Sequence, residues 1–343
     1  MSSGAPTVLI LTLGGTIASL PAASGGEGGP AGGAVPALSA ADLVASVPGL
    51  QRVARIEARS VRQIASCEIT PLDVLEVAVA SRAALEPNGD DEGAQPVTGV
   101  VVVQGTDTLE ETAFLLDVLH DGPEPIVVTG AMRTPDTPGA DGPANLLAAA
   151  TVAADPAARN LGAMVVMADE IHAARWVRKV HTSATGAFAS PGLGPLGRVI
   201  EGRVRIDLVP AARTTTIDLL GRSCAGDRVL PSRWPVIPIL RVAQGTLSPE
   251  VEALAAIADG LVVEGVGGGH VPSSLVEALQ RVAERIPVVL AARPGAGGTL
   301  QSTYGYPGSE IDLLRRGVGS AGDLDALKAR LWLGADILMR RTP

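Results

Sequence analysis

Aromatic residues are scarce: two Phe, two Tyr and three Trp make up 2% of 343 residues. A core must therefore be built from Val, Leu, Ile and Ala, which suits parallel strands buried on both faces beneath Ala- and Leu-rich helices. No basic run is present and the net charge is −9. Nucleic acid is excluded as the expected partner, because phosphate binding needs clustered Lys and Arg. No apolar run reaches the roughly 20 residues of a membrane span, so no membrane association is expected. The opening Met1-Ser2-Ser3-Gly4-Ala5-Pro6-Thr7 lacks a cationic start and runs straight into an apolar stretch. No signal peptide is expected there, and the chain reads as cytoplasmic. The two cysteines, Cys67 and Cys224, make neither a disulfide framework nor a metal site. His120, His172, His181 and His270 have no metal-ligand spacing, and no G-x-S-x-G elbow occurs. No metal site is expected from these residues.

Lysine is the most telling scarcity. Of 27 cationic residues only Lys179 and Lys328 are lysines. Arg serves wherever a generic positive charge is enough, so a retained Lys is a candidate for chemistry that Arg cannot perform, chiefly proton loss. Lys328 falls in a polar helical stretch, 323–330, and is expected at the solvated surface. Lys179 is the candidate that remains.

What the chain does contain is a strand–helix alternation. Strands are expected at 8–13, 53–60, 97–103, 125–129 and 162–167. Helices are expected at 39–47, capped by Ser39, at 72–84, opened by Thr70-Pro71, at 109–119, and from Asp141 to about Ala154. This rhythm reads as a doubly wound, mainly parallel sheet. From about 200 to 234 the pattern changes to strand-like pieces with scattered Arg. Strands resume at 236–240, 260–263 and 287–291, with helices near 249–258, 273–285 and 324–339. The expected architecture is α/β: a larger N-terminal domain at 1–205, a connection at 206–234 and a smaller C-terminal α/β domain at 235–343.

Two threonines stand where strands run into glycine turns: Thr16 in Gly14-Gly15-Thr16 and Thr106 in Gln104-Gly105-Thr106-Asp107. The carboxyl ends of strands in an open parallel sheet line the ligand crevice, so the pair suggests a threonine nucleophile assisted by a second hydroxyl. A threonine nucleophile needs a base, a group to hold that base, and oxyanion donors. Asp107 and Lys179 are the candidates, with backbone donors at the third strand end, Thr129-Gly130-Ala131. Taken singly, each Gly-Thr turn is most simply a helix cap, Asp107 a cap for the helix at Leu109, Asp141 a cap for its own helix, and Glu110 and Glu111 favourable first-turn charges. Low-complexity residues 19–35, directly after Thr16, read as a mobile active-site lid. Gly265-Val266-Gly267-Gly268-Gly269-His270 lacks both the G-x-G-x-x-G spacing and a Walker lysine.

Residues 13–18, 105–116, 128–146, 174–199 and 260–269 together resemble the bacterial-type L-asparaginase (asparaginase/glutaminase) family. The specific matches are Gly105-Thr106-Asp107-Thr108-Leu109-Glu110-Glu111-Thr112, Gly130-Ala131-Met132-Arg133 with Ala140-Asp141-Gly142-Pro143, and Lys179 followed by Gly194-Pro195-Leu196-Gly197. The resemblance implies hydrolysis of the side-chain amide of L-asparagine to L-aspartate and ammonia through a Thr16 acyl-enzyme. Thr106, Lys179 and Asp107 would form a second triad, and backbone N–H groups of Thr106 and Ala131 would hold the oxyanion. Ser66 matches the substrate α-carboxylate contact and Asp107 also the α-amino contact. A homotetramer of two intimate dimers, or a homodimer, is implied, each site completed by a neighbour's C-terminal domain, and neither a metal nor an organic cofactor is implied. Four features depart from the family pattern. The lid has no tyrosine, the only tyrosines being Tyr304 and Tyr306; Cys67 stands where a glutamine is common; Gln104 replaces a histidine; and Gly268 and His270 replace asparagines. The alternatives are a glutaminase or other small amino-acid amidase, or a non-catalytic amino-acid sensor on the same scaffold.

Overall fold

The computed structural model describes residues 5–21, 34–36, 38–86, 96–211, 213–220 and 230–341. The chain divides into two compact units, Met1–Thr216 with Arg222–Gly226, and Ile217–Gly221 with Asp227–Pro343.

The larger unit opens on β1 (Thr7–Gly14), buried along its whole length. A single 3-10 turn, Thr16–Ala18, follows, and then an antiparallel ladder of β2 (Ser19–Pro21) and β3 (Ala34–Pro36). That ladder joins the two ends of the expected lid; its residues 22–33 lie outside the described residues. Helix α1 (Ala40–Ala45) begins with a capping box. The Ser39 hydroxyl accepts the Asp42 N–H while the Asp42 carboxylate accepts the Ser39 N–H. After α2 (Leu50–Val53) comes β4 (Arg55–Ile64), so Val53, expected in a strand, closes a helical turn instead. Thr70 and Asp73 form a second capping box for α3 (Pro71–Leu85), with Pro71 in its first turn. Then follow β5 (Val97–Val103), α4 (Leu109–Leu119), β6 (Ile126–Thr129), α5 (Gly142–Ala154) and β7 (Ala163–Met167).

The strands form one eight-stranded sheet, completed by β8 (Glu170–Ala173), β11 (Gly197–Ile200) and β12 (Arg203–Ile206), in the order β12-β11-β8-β7-β6-β5-β1-β4. The run β4-β1-β5-β6-β7 is parallel, and the remaining pairs are antiparallel. Between β8 and β11 the two-residue strands β9 (Arg178–Lys179) and β10 (Phe188–Ala189) form a separate hairpin. The alternation of side chains along each strand buries both faces. Val8, Ile10, Val101 and Val103 share a core with Leu146, Ala149 and Val152 of α5.

The smaller unit contains β13 (Ile239–Arg241), α6 (Ser248–Ala255), β14 (Leu261–Gly265), α7 (Val276–Ala283), β15 (Val288–Ala292), α8 (Glu310–Arg315), β16 (Gly319–Ser320) and α9 (Ala326–Arg341). Its four strands are all parallel, in the order β13-β14-β15-β16. The fold class is thus the expected one, a large mainly parallel sheet and a smaller parallel α/β unit. Lys328 is a correction: it is 1% exposed, not solvated. Its ammonium donates to Asp325 Oδ2 at 2.7 Å, just before α9 begins. A local carboxylate three residues away offsets the cost of taking the charge out of water, which a polar sequence pattern does not reveal.

Candidate active site

The strand order reverses at one place. From β1 the chain goes to β4 on one side, while β5, on the other side of β1, leads away to β6 and β7. A crevice opens at such a switch point beyond the carboxyl ends of the two central strands. Those ends carry Thr16, after β1, and Thr106, after β5. The two turns touch through glycine: a Cβ on Gly15 would lie 2.0 Å from the Gly105 nitrogen, and Gly15 has φ +89°. Only glycine permits that contact and that backbone angle. A Cβ on Gly105 would in turn strike the Ser66 side chain at 2.8 Å, so the turn after β4 joins the same spot.

Around Thr106 the polar groups close into a network. Lys179 Nζ donates to Thr106 Oγ1 at 2.9 Å and to Asp107 Oδ1 at 2.7 Å. Ser66 Oγ donates to Asp107 Oδ2 at 3.1 Å and receives the Asp107 N–H at 3.3 Å. Thr108 Oγ1 donates to the Ser66 carbonyl at 2.8 Å. The Lys179 ammonium holds the Asp107 carboxyl below its usual range; partial burial works against this, and the Ser66 hydroxyl adds to it. Asp107 is therefore a charged partner of Lys179, and not a cap for α4. Thr106 is buried, whereas the Asp107 side chain is 66% exposed. Thr16 is half-buried, and its hydroxyl has no hydrogen-bond partner among the described residues.

The third strand end is pinned to the second. The Gln104 N–H donates to the Thr129 carbonyl at 3.1 Å, and a Cβ on Gly130 would meet the Gln104 carbonyl at 2.5 Å. Ala131, fully buried, follows directly. Asp141 makes no side-chain cap for α5. Its carboxylate instead accepts the N–H groups of Met132 and Arg133 and the Asn145 amide, holding the turn after β6. Gln104 is buried, and its Nε2 reaches the Gly105 carbonyl and Thr108 Oγ1. Cys67 is an exposed free thiol beside Ser66.

Glu110 is the member of this neighbourhood that sequence reasoning set aside. It is buried, and its Oε2 accepts the Lys179 backbone N–H at 3.1 Å. Its placement four residues after Thr106 was legible; its partner, 69 residues away, was not.

The smaller unit holds a second polar cluster, also beyond the carboxyl ends of its strands. Glu310 is 0% exposed, and its Oε1 accepts the N–H groups of Thr303 and Tyr304, both at 2.7 Å. His270 Nε2 lies 3.1 Å from Glu310 Oε2, and Tyr306 Oη lies 3.0 Å from His270 Nδ1. Burial alone would push the Glu310 carboxyl up, but the backbone donors and the His270 ring together bring it below its usual value. An ionised Glu310 assigns the proton to Nε2, leaving Nδ1 to accept from Tyr306. The rings of Tyr304 and Tyr306 meet the His270 ring edge-on, at 5.1 and 5.6 Å. The described residues contain no cluster of metal-ligating side chains, and no helix among them is long and apolar enough to cross a membrane.

Comparison with known proteins places this geometry in a family. The family model "Asparaginase, N-terminal" matches residues 7–211, and "Glutaminase/Asparaginase C-terminal domain" matches 237–336. The chain belongs to the asparaginase family. It is 34% identical to a glutaminase-asparaginase of Pseudomonas fluorescens biotype A, over 94% of this chain and 84% of that protein. It is 31% identical to L-asparaginase 2 of Escherichia coli K12, over 98% of this chain and 90% of that protein. The crystal structure of a probable cytoplasmic L-asparaginase from Campylobacter jejuni superposes with a TM-score of 0.79 at 29% identity, covering 97% of this chain and 95% of the other.

Proposed function

We propose that this protein is an amidohydrolase that converts L-asparagine to L-aspartate and ammonia through an acyl-enzyme on Thr16. The observation that carries the reading is the Lys179–Thr106–Asp107 network, built on the turn whose Gly105 touches Gly15, next to Thr16. In the proposed reaction Thr16 Oγ bonds to the amide carbon, and backbone N–H groups of Thr106 and Ala131 hold the oxyanion. The C–N bond breaks, and the Thr16 proton passes by way of the Thr106 hydroxyl to the departing nitrogen, which leaves as ammonia. Water then cleaves the ester, giving aspartate and restoring the Thr16 hydroxyl. Lys179 Nζ, paired with Asp107, donates to Thr106 Oγ1 and so stabilises negative charge on Thr106 while that proton is in transit. Ser66 and Asp107 would bind the α-carboxylate and α-amino groups, with Cys67 beside them.

A second substrate, L-glutamine, is favoured by one feature: next to Ser66, Cys67 carries a small, exposed thiol where the family commonly has an amide side chain. Of the expected lid at 19–35, only the ends are described, paired in the β2–β3 ladder that follows the Thr16 turn. The assignment of 1–205 and 235–343 as catalytic and C-terminal domains, joined by 206–234, is supported by the break between units at Thr216 and Ile217. A homotetramer or homodimer, in a cytoplasmic setting, completes the reading; its support is the likeness to a probable cytoplasmic L-asparaginase and the family resemblance. Ammonia release from L-asparagine and L-glutamine by the purified protein is the test. No release from either amide between pH 6 and 10 would sink the proposal, and aspartate binding without turnover would favour the sensor alternative.

A further inference from the structure

Glu110 has an ionisable side chain, is only 8% exposed, and has no part in the chemistry proposed above. A carboxylate is costly to bury unless its oxygens are hydrogen-bonded, and here one of them takes the Lys179 N–H at 3.1 Å. The hairpin explains why that N–H points outward. Val180 N–H donates to the Ala187 carbonyl, so the adjacent pair, Lys179 opposite Phe188, is of the non-hydrogen-bonded kind. In such a pair the backbone N–H faces away from the partner strand. Thr106 and Glu110 both belong to the continuous turn and helix that begin at Thr106, so they move as one body. Lys179 is gripped by that body at two points, its main chain by Glu110 and its ammonium by Thr106 and Asp107.

We propose that Glu110 is a positioning residue that fixes the β9 main chain to the turn bearing Thr106 and so sets the reach of the Lys179 ammonium. A two-residue strand is a weak platform for a long, flexible side chain; the carboxylate ties its main chain directly to the helix that follows Thr106. The inference rests on the reading that Lys179 and Thr106 act in amide hydrolysis.

Three variants of the full chain test it. Glu110→Ala is expected to lower kcat for asparagine on the order of 10–100-fold while KM stays within about twofold, since Ser66 and Asp107 are untouched. Glu110→Gln keeps an oxygen that can accept the N–H and should stay within about threefold of wild type. Wild-type kcat in Glu110→Ala, or equal losses in Ala and Gln, would overturn the proposal. Should the Ala protein fail to fold, Glu110→Asp, too short to reach, takes its place with the same expectations.

A second readout does not depend on turnover. Labelling lysine with 15N gives two backbone amide signals, from Lys179 and Lys328. The Lys179 amide should exchange with solvent roughly tenfold or more faster in Glu110→Ala, and near the wild-type rate in Glu110→Gln. Lys328, whose N–H donates to Asp325 at 3.0 Å, should not change. An unchanged Lys179 amide overturns the clamp whether or not the wild-type protein hydrolyses asparagine, so its failure and that of the proposed function are read separately.

Discussion

The carboxyl edges of the two sheets carry polar clusters of opposite kind. In the larger unit Lys179 pairs with an Asp107 side chain that is 66% exposed, and the Thr16 hydroxyl beside them has no partner among the described residues. In the smaller unit Glu310 is fully buried, and three donors, two backbone N–H groups and His270, occupy its oxygens. The first cluster keeps hydrogen-bonding capacity for something that arrives; the second has spent its carboxylate on ordering the loops that hold Tyr304 and Tyr306. A charged group at a strand end is thus a candidate for chemistry only where its partners leave it room. Both clusters look alike in sequence, a carboxylate near a Gly-rich turn, and the hydrogen bonds separate them.

The sharpest way to break this contrast is to remove reacting groups. Thr16→Ala and Lys179→Met should each reduce asparagine turnover on the order of 1,000-fold or more, with the thermal midpoint little changed. Retained activity in Thr16→Ala would place the nucleophile elsewhere. In the smaller unit the largest effect should fall on stability. Glu310→Ala strands the His270 Nε2–H and two backbone N–H groups, a cost of about 3 kcal/mol. A denaturant midpoint unchanged from wild type would show the buried carboxylate to be dispensable.

Asp107→Asn is expected to lower kcat/KM on the order of 10–100-fold, because the ion pair and the proposed α-amino contact both go. The same carboxylate gives a pH signature. Its folded pKa lies below the unfolded value of 3.8, so the pairing contributes above that value and is lost as pH falls through the lower, folded one. Loss of the Lys179–Asp107 pair already near pH 5, followed by the Asp107 carboxyl carbon signal in NMR, would contradict the ion-paired assignment.

The smallest effect concerns residues outside both clusters. Burial lowers the pKa of His120 and of His172, so the folded chain takes up these protons at lower pH than the unfolded chain, which does so around pH 6.5. Stability contributed by the neutral rings is present above that pH and declines as pH falls through 6.5 toward the folded values. The thermal midpoint should fall by a few degrees between pH 7 and 5, and His120→Gln should flatten the slope. A midpoint independent of pH in this range would count against buried neutral rings.

Much of the larger unit was legible in advance, because its signals are local. Strand β5 at 97–103 and helix α4 at 109–119 fall where the apolar runs put them, and Ser39 and Thr70 cap the helices they precede. The antiparallel strands β8 to β11 carry no sustained period, being two to four residues long, whereas β12 falls in the stretch of strand-like pieces after 200. In the smaller unit α8 and β16 are likewise too short to show a period. Asp141 occupies the N-cap position of α5, as its place in the sequence suggests, yet its side-chain oxygens turn back to the loop at Met132 and Arg133.

Composition and pattern by themselves determined the α/β class, the two glycine–threonine turns, and the oddity of Lys179 in a chain with two lysines. Those are properties of residue type and near neighbours, which periodicity and conformational preference express directly. Only the tertiary structure decided which charges meet. It set Lys179 against Thr106 across 73 positions and against Glu110 across 69, and it buried Lys328 on Asp325 where polarity had suggested solvent. Pairings of that range depend on sheet order and on the contact of Gly15 with Gly105, and the order in which strands assemble is fixed by packing the whole core.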